Sequence, residues 1–164
     1  MKPRKLFKPS MLAGLLLGAA AVIATTAHAA SMTPFNSPFI ASGPTDLQAG
    51  PYGGPCTSTF YGAIDGAGNA TIDGPMSEFV GSDLICTLIQ GVGQWTLVPT
   101  SPNTAEIRDA EVAAPGLISC FGTVPGTLVD GVFTFDAVLD SDKGIPCKVS
   151  GTLKTSPPVG IQWP

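Results

Sequence analysis

Short apolar runs separated by turn residues make up the chain from residue 30 onward. No window of a dozen residues sustains an apolar period of 3.6, so long amphipathic helices are not expected. In TLVDGVFTFDAVLD, residues 127–140, Phe133, Phe135, Ala137 and Leu139 fall on one face of a strand. Val132, Thr134, Asp136 and Val138 fall on the other, the alternation of a half-buried strand. Asp130-Gly131 precedes them as a hairpin signal, because both central positions of a type I′ turn take positive φ. CTSTFYGAI (56–64), Asp65-Gly66 and NATI (69–72) repeat that device. LICTLI (84–89) and QWTLV (94–98) flank Gly91 and Gly93 as a further hairpin, and GLISCFGTV (116–124) and CKVSGTL (147–153) add two more strands. TAEIRDAEVAA, residues 104–114, is the most helix-like piece; Pro115-Gly116 stop it at once, and it reads as one short helix or an edge strand. A strand every ~8–12 residues is the spacing of an all-β sandwich or barrel, with roughly seven to nine short antiparallel strands.

The two ends of this domain read differently. ASMTPFNSPFIASGPT is interrupted by Pro34, Pro38 and Pro44 while Phe35, Phe39 and Ile40 are apolar. Residues 30–50 are therefore expected to be an extended, proline-containing arm, because proline is confined to edge strands and bulges. As an edge strand it would cover the core; as a free arm it would add to a neighbour's sheet. Residues 155–164 form a proline-rich tail ending near Trp163, and Trp95 in QWTLV is a core candidate.

Residues 1–29 have the anatomy of a secretory signal peptide. Lys2, Arg4, Lys5 and Lys8 come first, the apolar run 11–27 follows, and Ala27-His28-Ala29 supplies small residues before a cut. That run is 17 residues, near the lower limit for crossing a bilayer, and no basic stop follows it. Cleavage after Ala29 leaves residues 30–164 as a single domain with no membrane span, exported to the periplasm or the exterior. It also changes the charge. Arg108, Lys143, Lys148 and Lys154 then face all twelve acids, a net charge of −8. This argues against nucleic acid, whose binding rests on basic contacts to phosphate, and against anionic headgroups.

The chain's one histidine, His28, leaves with the signal. Without an imidazole, Ser-His-Asp and Cys-His catalysis are excluded, as are metal sites built on histidine. Cys56, Cys86, Cys120 and Cys147 all remain, with no C-x-x-C pair. An even count in an exported chain reads as two disulfides, and three pairings are open. Both halves run Cys, Gly, Asp-Gly, strand, Cys; taken as a duplication, that layout pairs Cys56 with Cys86 and Cys120 with Cys147.

Other chemistry is thin. Glu106, Asp109, Glu111, Asp136, Asp140 and Asp142 are the carboxylates that acid–base work would draw on, but nothing sets two of them across a substrate. Asp140-Ser141-Asp142-Lys143-Gly144 begins like a calcium loop and then fails, with Gly144 at position 5 and Gly151 at position 12. Asn69-Ala70-Thr71 matches the glycosylation sequon beside a turn, where Asn is expected anyway. No catalytic residue, cofactor or metal is expected, and the chain does not read as an enzyme.

Several stretches together resemble a known family. They are SMTPFNSPFIASGPTDL after the cut site, GGPCTSTFYGAIDGAGNATI, and the later cysteines ending in IPCKVSGTL. The layout, over residues 30–155, is similar to the small exported proteins known as activators of alkane oxidation, the PraA/PraB family of Pseudomonas-type bacteria. The resemblance implies a secreted, non-enzymatic accessory protein that promotes hydrocarbon use by emulsification or uptake at the oil–water interface. The competing expectation is a structural subunit of extracellular fibres or biofilm matrix, self-associating through the Phe35–Ile40 arm.

Overall fold

Eight long strands close into an antiparallel barrel in the computed structural model, which describes residues 29–164. The signal peptide expected over residues 1–29, with His28, lies outside the described residues, Ala29 excepted. In chain order the strands are β1 (Ser31–Thr33), β2 (Ser37–Ala49), β3 (Tyr52–Ile64) and β4 (Ala70–Val80). A one-turn helix, α1 (Leu84–Leu88), and the short β5 (Gln90–Gly91) follow. Then come β6 (Gln94–Ser101), β7 (Thr104–Ala114), β8 (Ile118–Val129), β9 (Val132–Ser141), β10 (Cys147–Ser156) and β11 (Gly160–Gln162). The barrel runs β2, β3, β4, β6, β7, β8, β9, β10 and returns from β10 to β2. Closure gives each of these eight long strands a partner on both sides, the second half of β4 excepted.

Alternation sends one face of each strand inward. On β9, Phe133, Ala137 and Leu139 are buried and Thr134, Asp136 and Val138 face solvent, as the pattern predicts. Asp130 (φ 51°) and Gly131 (φ 75°) form the turn that the dipeptide signals, bringing Val129 opposite Val132. The Asp65-Gly66 hairpin exists but is built differently. Its positive φ falls at Gly68 (83°), and the Asp65 carboxylate accepts backbone N–H bonds from Ala67 and Asn69, each at 2.8 Å. A side-chain anchored loop thus replaces the two-residue turn.

Three expectations need correcting. Residues 104–114 are neither helix nor edge: β7 pairs with β6 on one side and β8 on the other. A bulge explains the helix-like pattern. Asp109 takes φ 57° where the β7–β8 register shifts, so the inward positions step from Ala105 and Ile107 to Ala110. An inserted residue changes a spacing of two into three, which mimics a helical face. Residues 84–88 of the expected strand LICTLI are α1, with Ile85 and Cys86 buried and Leu84 exposed.

The third correction concerns the arm. Within residues 30–50, Ser37–Ala49 is β2, paired along β3 and β10, so the segment is not free to join another sheet. Phe39 is buried in the core, whereas Phe35 and Ile40 remain exposed. The prolines fit because the β10 ladder is absent where they fall. Pairing with β10 spans residues 40–49 of β2, which leaves Pro38 beyond it, and skips Gly43 and Pro44. A Cβ at Gly43 would strike the Thr152 carbonyl, so glycine is what lets the two backbones approach there. The tail is likewise committed: β11 pairs with β1 and buries Met32 and Val159.

Candidate functional site

Eight strands enclose just enough space for their own side chains or one small ligand. Here the side chains do not fill it. A cavity of about 80 Å³ remains inside the barrel, walled by Phe60, Phe79, Trp95, Ile107, Val124 and Phe135 among others, and almost wholly apolar. The Phe60 ring meets Phe79 edge-on at 5.8 Å and Trp95 at 5.7 Å, so three aromatics make one side of it. Of the polar side chains at the wall, Thr45, Ser58 and Glu111 are hydrogen-bonded, Asp46 is exposed and Ser150 half-buried. Ser58 Oγ, fully buried, lies 2.6 Å from Thr45 Oγ1, and Glu111 accepts a hydrogen bond from Ser119 Oγ at 2.9 Å. Among the described residues no buried side-chain polar atom lacks a partner.

The longest interruption in the wall, a seam, lies beside β4. β4 pairs with β6 only from Ala70 to Asp73, and beyond a register shift its second half pairs with β3 alone. Tyr61 Oη donates to Glu78 Oε1 across that second half, and the acceptor carboxylate holds the phenol above its ordinary pKa. The gap between this half of β4 and β7 is filled by α1 and β5. β5 pairs with β7 at Gln90 and Gly91, and Gly74 N–H donates to the Gly93 carbonyl at 2.9 Å. Ile89, next to α1, lines the cavity, and Trp95 Nε1 donates to the Val92 carbonyl at 2.8 Å. Outside the seam, Met76, Val80 and Leu84 stand 59%, 66% and 72% exposed.

Two disulfides tie this end of the barrel. Cys56–Cys86 fastens α1 to β3, and Cys120–Cys147 links β8 to β10. Such bonds belong to an oxidising, non-cytoplasmic compartment. No helix of the described residues is long and apolar enough to cross a membrane.

Of the candidate carboxylates, Glu111 and Asp142 meet at Ser119, each held there by a hydrogen bond, and Glu106 lies apart on an ion pair. Glu106 pairs with Arg108, Glu111 with Ser119, and Asp142 accepts the Ser119 backbone N–H at 2.9 Å beside Lys143. That backbone bond, with the Lys143 contact, holds the Asp142 carboxyl below its ordinary value. Among the described residues no three His, Cys, Asp or Glu side chains group as metal ligands. Of the apolar candidates, Phe39 belongs to the core and Ile40 to the outer face of β2, while Phe35 sits by the Gly68 loop at the far end. Sequence reasoning missed the cavity and its seam, although it singled out Trp95 as a core candidate and Phe135 and Leu139 as one apolar face, and all three line the wall.

The alkane oxidation protein activator PraA/PraB-like family matches the chain over residues 1–163. No curated protein and no solved structure gave a match.

Proposed function

We propose that this chain, which belongs to the alkane oxidation protein activator PraA/PraB-like family, is an exported accessory protein that promotes hydrocarbon use by acting on the oil–water interface. Emulsification or uptake is then its contribution, and oxidation is left to other proteins. One observation carries the reading: Met76, Val80 and Leu84 stand exposed together at the seam of a barrel braced by two disulfides. Exposed apolar side chains on one stretch of surface mark a place that meets apolar material, and Val80 and Leu84 are the two most exposed large apolar residues among those described. The acid excess keeps the rest of the molecule in water and resists self-association. The disulfides keep the barrel closed at a surface that unfolds weaker proteins.

The test is hexadecane–water interfacial tension with the purified, oxidised protein, beside an inert acidic protein of similar size. A drop below that control, lost in the triple variant M76S/V80S/L84S, is expected. Equal tension for the protein and the control would overturn the reading. So would a drop that survives the triple substitution unchanged.

A further inference from the structure

We infer that the barrel cavity is a binding site for the end of a linear alkyl chain, reached through the seam under α1. The inference goes beyond interfacial action and does not depend on it. Three observations carry it. The wall is almost wholly apolar and no buried polar atom in it lacks a partner, so an occupant gains little from polar groups of its own. The volume, about 80 Å³, is roughly half that of an engineered core cavity of 150 Å³ that takes benzene, so a slender chain end fits where a ring does not. The barrier beside it is the least continuous part of the wall: β4 has left β6, and a five-residue helix and a two-residue strand bridge the gap.

The exposed side chains line up with this route. Met76 and Val80 lie on the half of β4 that has left β6, and Leu84 opens α1. An alkyl chain held against them has its end beside Ile89, the residue that follows α1 and lines the cavity. Cys56–Cys86 holds the helix to β3 on the far side of β4, so the segment is tethered while its β5 side rests on short pairing to β7. Opening there moves Val92, whose carbonyl accepts the Trp95 indole N–H. The indole therefore senses both the cavity and its entrance.

That placement supplies the readout. The chain has two tryptophans, and W163F leaves Trp95 as the reporter. The oxidised W163F protein is titrated with n-butane and, separately, with cyclohexane, and Trp95 fluorescence is followed. A saturable spectral change with n-butane, at least tenfold weaker with cyclohexane, is expected. Adding A110L, which places carbon in the cavity, should weaken the n-butane response at least tenfold while the protein still melts cooperatively. V124F fills from another strand and replaces A110L if that variant does not fold. No saturable response to n-butane overturns the inference. An equal response to cyclohexane, or one that persists in a folded, filled variant, also overturns it. Interfacial tension of the filled variant reads the surface separately, so failure of one idea is not mistaken for failure of the other.

Discussion

The barrel's two ends are closed by opposite means. At one end, α1 fills the gap between β4 and β7, and both disulfides lie there. At the other, β1 and β11 pair across the opening, and no disulfide is present. A five-residue helix has too few hydrogen bonds to hold itself, and Asp83 provides no side-chain cap. Its position rests on Ile85, Cys86 and a covalent bond. The opposite end is held by its backbone and by one hydroxyl. Thr155, 4% exposed, donates from Oγ1 to the Gly131 carbonyl at 2.8 Å and accepts from Val159 N–H at 2.8 Å. The comparison teaches that the covalent end is the one built from the weaker local structure, and it is also the end beside the cavity.

Cutting the tether is the strongest way to break this comparison. The double variant C56A/C86A should lose on the order of 3–4 kcal/mol, since that bond closes a loop of about 30 residues. Denaturant unfolding measures the loss. Hydrogen exchange locates it: amides of α1 and β5 should exchange first, while those of β1 and β11 stay protected. Uniform deprotection at both ends would mean that the bond braces the whole barrel.

Thr155→Val attacks the other end without touching a disulfide. It leaves the Val159 N–H buried without its acceptor, a loss of about 1–3 kcal/mol. Protection should fall at β11 and β1 and persist at α1. A variant as stable as the parent would show that water reaches Val159 and replaces the hydroxyl.

Filling the cavity tests whether its volume is a standing defect. A110L should raise stability by about 1 kcal/mol, because Ala110 lines the cavity on β7 and the added carbons bury apolar surface there. Thermal unfolding reads the sign. A clear fall would mean that the wall cannot accept the added carbon, and V124F would then be the variant to examine.

Much of the architecture was legible because it rests on local signals. The alternation in 132–139 gives its own inward face, Asp130-Gly131 gives its own turn, and an even count of cysteines with no C-x-x-C pair points to disulfides. What escaped depends on partners far along the chain. The bulge at Asp109 gives Ala105, Ile107 and Ala110 a helical spacing, and only pairing to both neighbours makes them a strand. Pro38 and Pro44 argue against a central strand until β10 is placed and its ladder is seen to miss them. Residues 84–88 are apolar enough for a strand, but the seam leaves them no sheet to join, and they curl over it. The cavity is least legible of all. It is the volume left between side chains from several strands, and no single residue encodes it.

The smallest expected effect is a pH dependence shared by the two ends. Asp65 and Asp142 both titrate below the ordinary 3.8, and each sits at one end. For Asp65 the main cause is the Asn69 side-chain hydrogen bond, with backbone N–H groups of the same loop behind it. That loop carries Gly68, whose carbonyl accepts the Met32 N–H at 2.9 Å and so anchors β1. For Asp142 the main cause is the Ser119 backbone N–H beside the β7–β8 turn. A carboxyl whose folded pKa is lowered contributes stability above its unfolded value, and the contribution is lost as pH falls through the folded pKa. Both contributions should therefore be complete above pH 3.8 and decline below it. Carboxyl carbon NMR should place both midpoints under 3.8, and D65N should remove the acid sensitivity of β1 alone. An Asp65 midpoint at the ordinary value would show that its loop is loose in solution, and that β1 is held by β11 without help from Gly68.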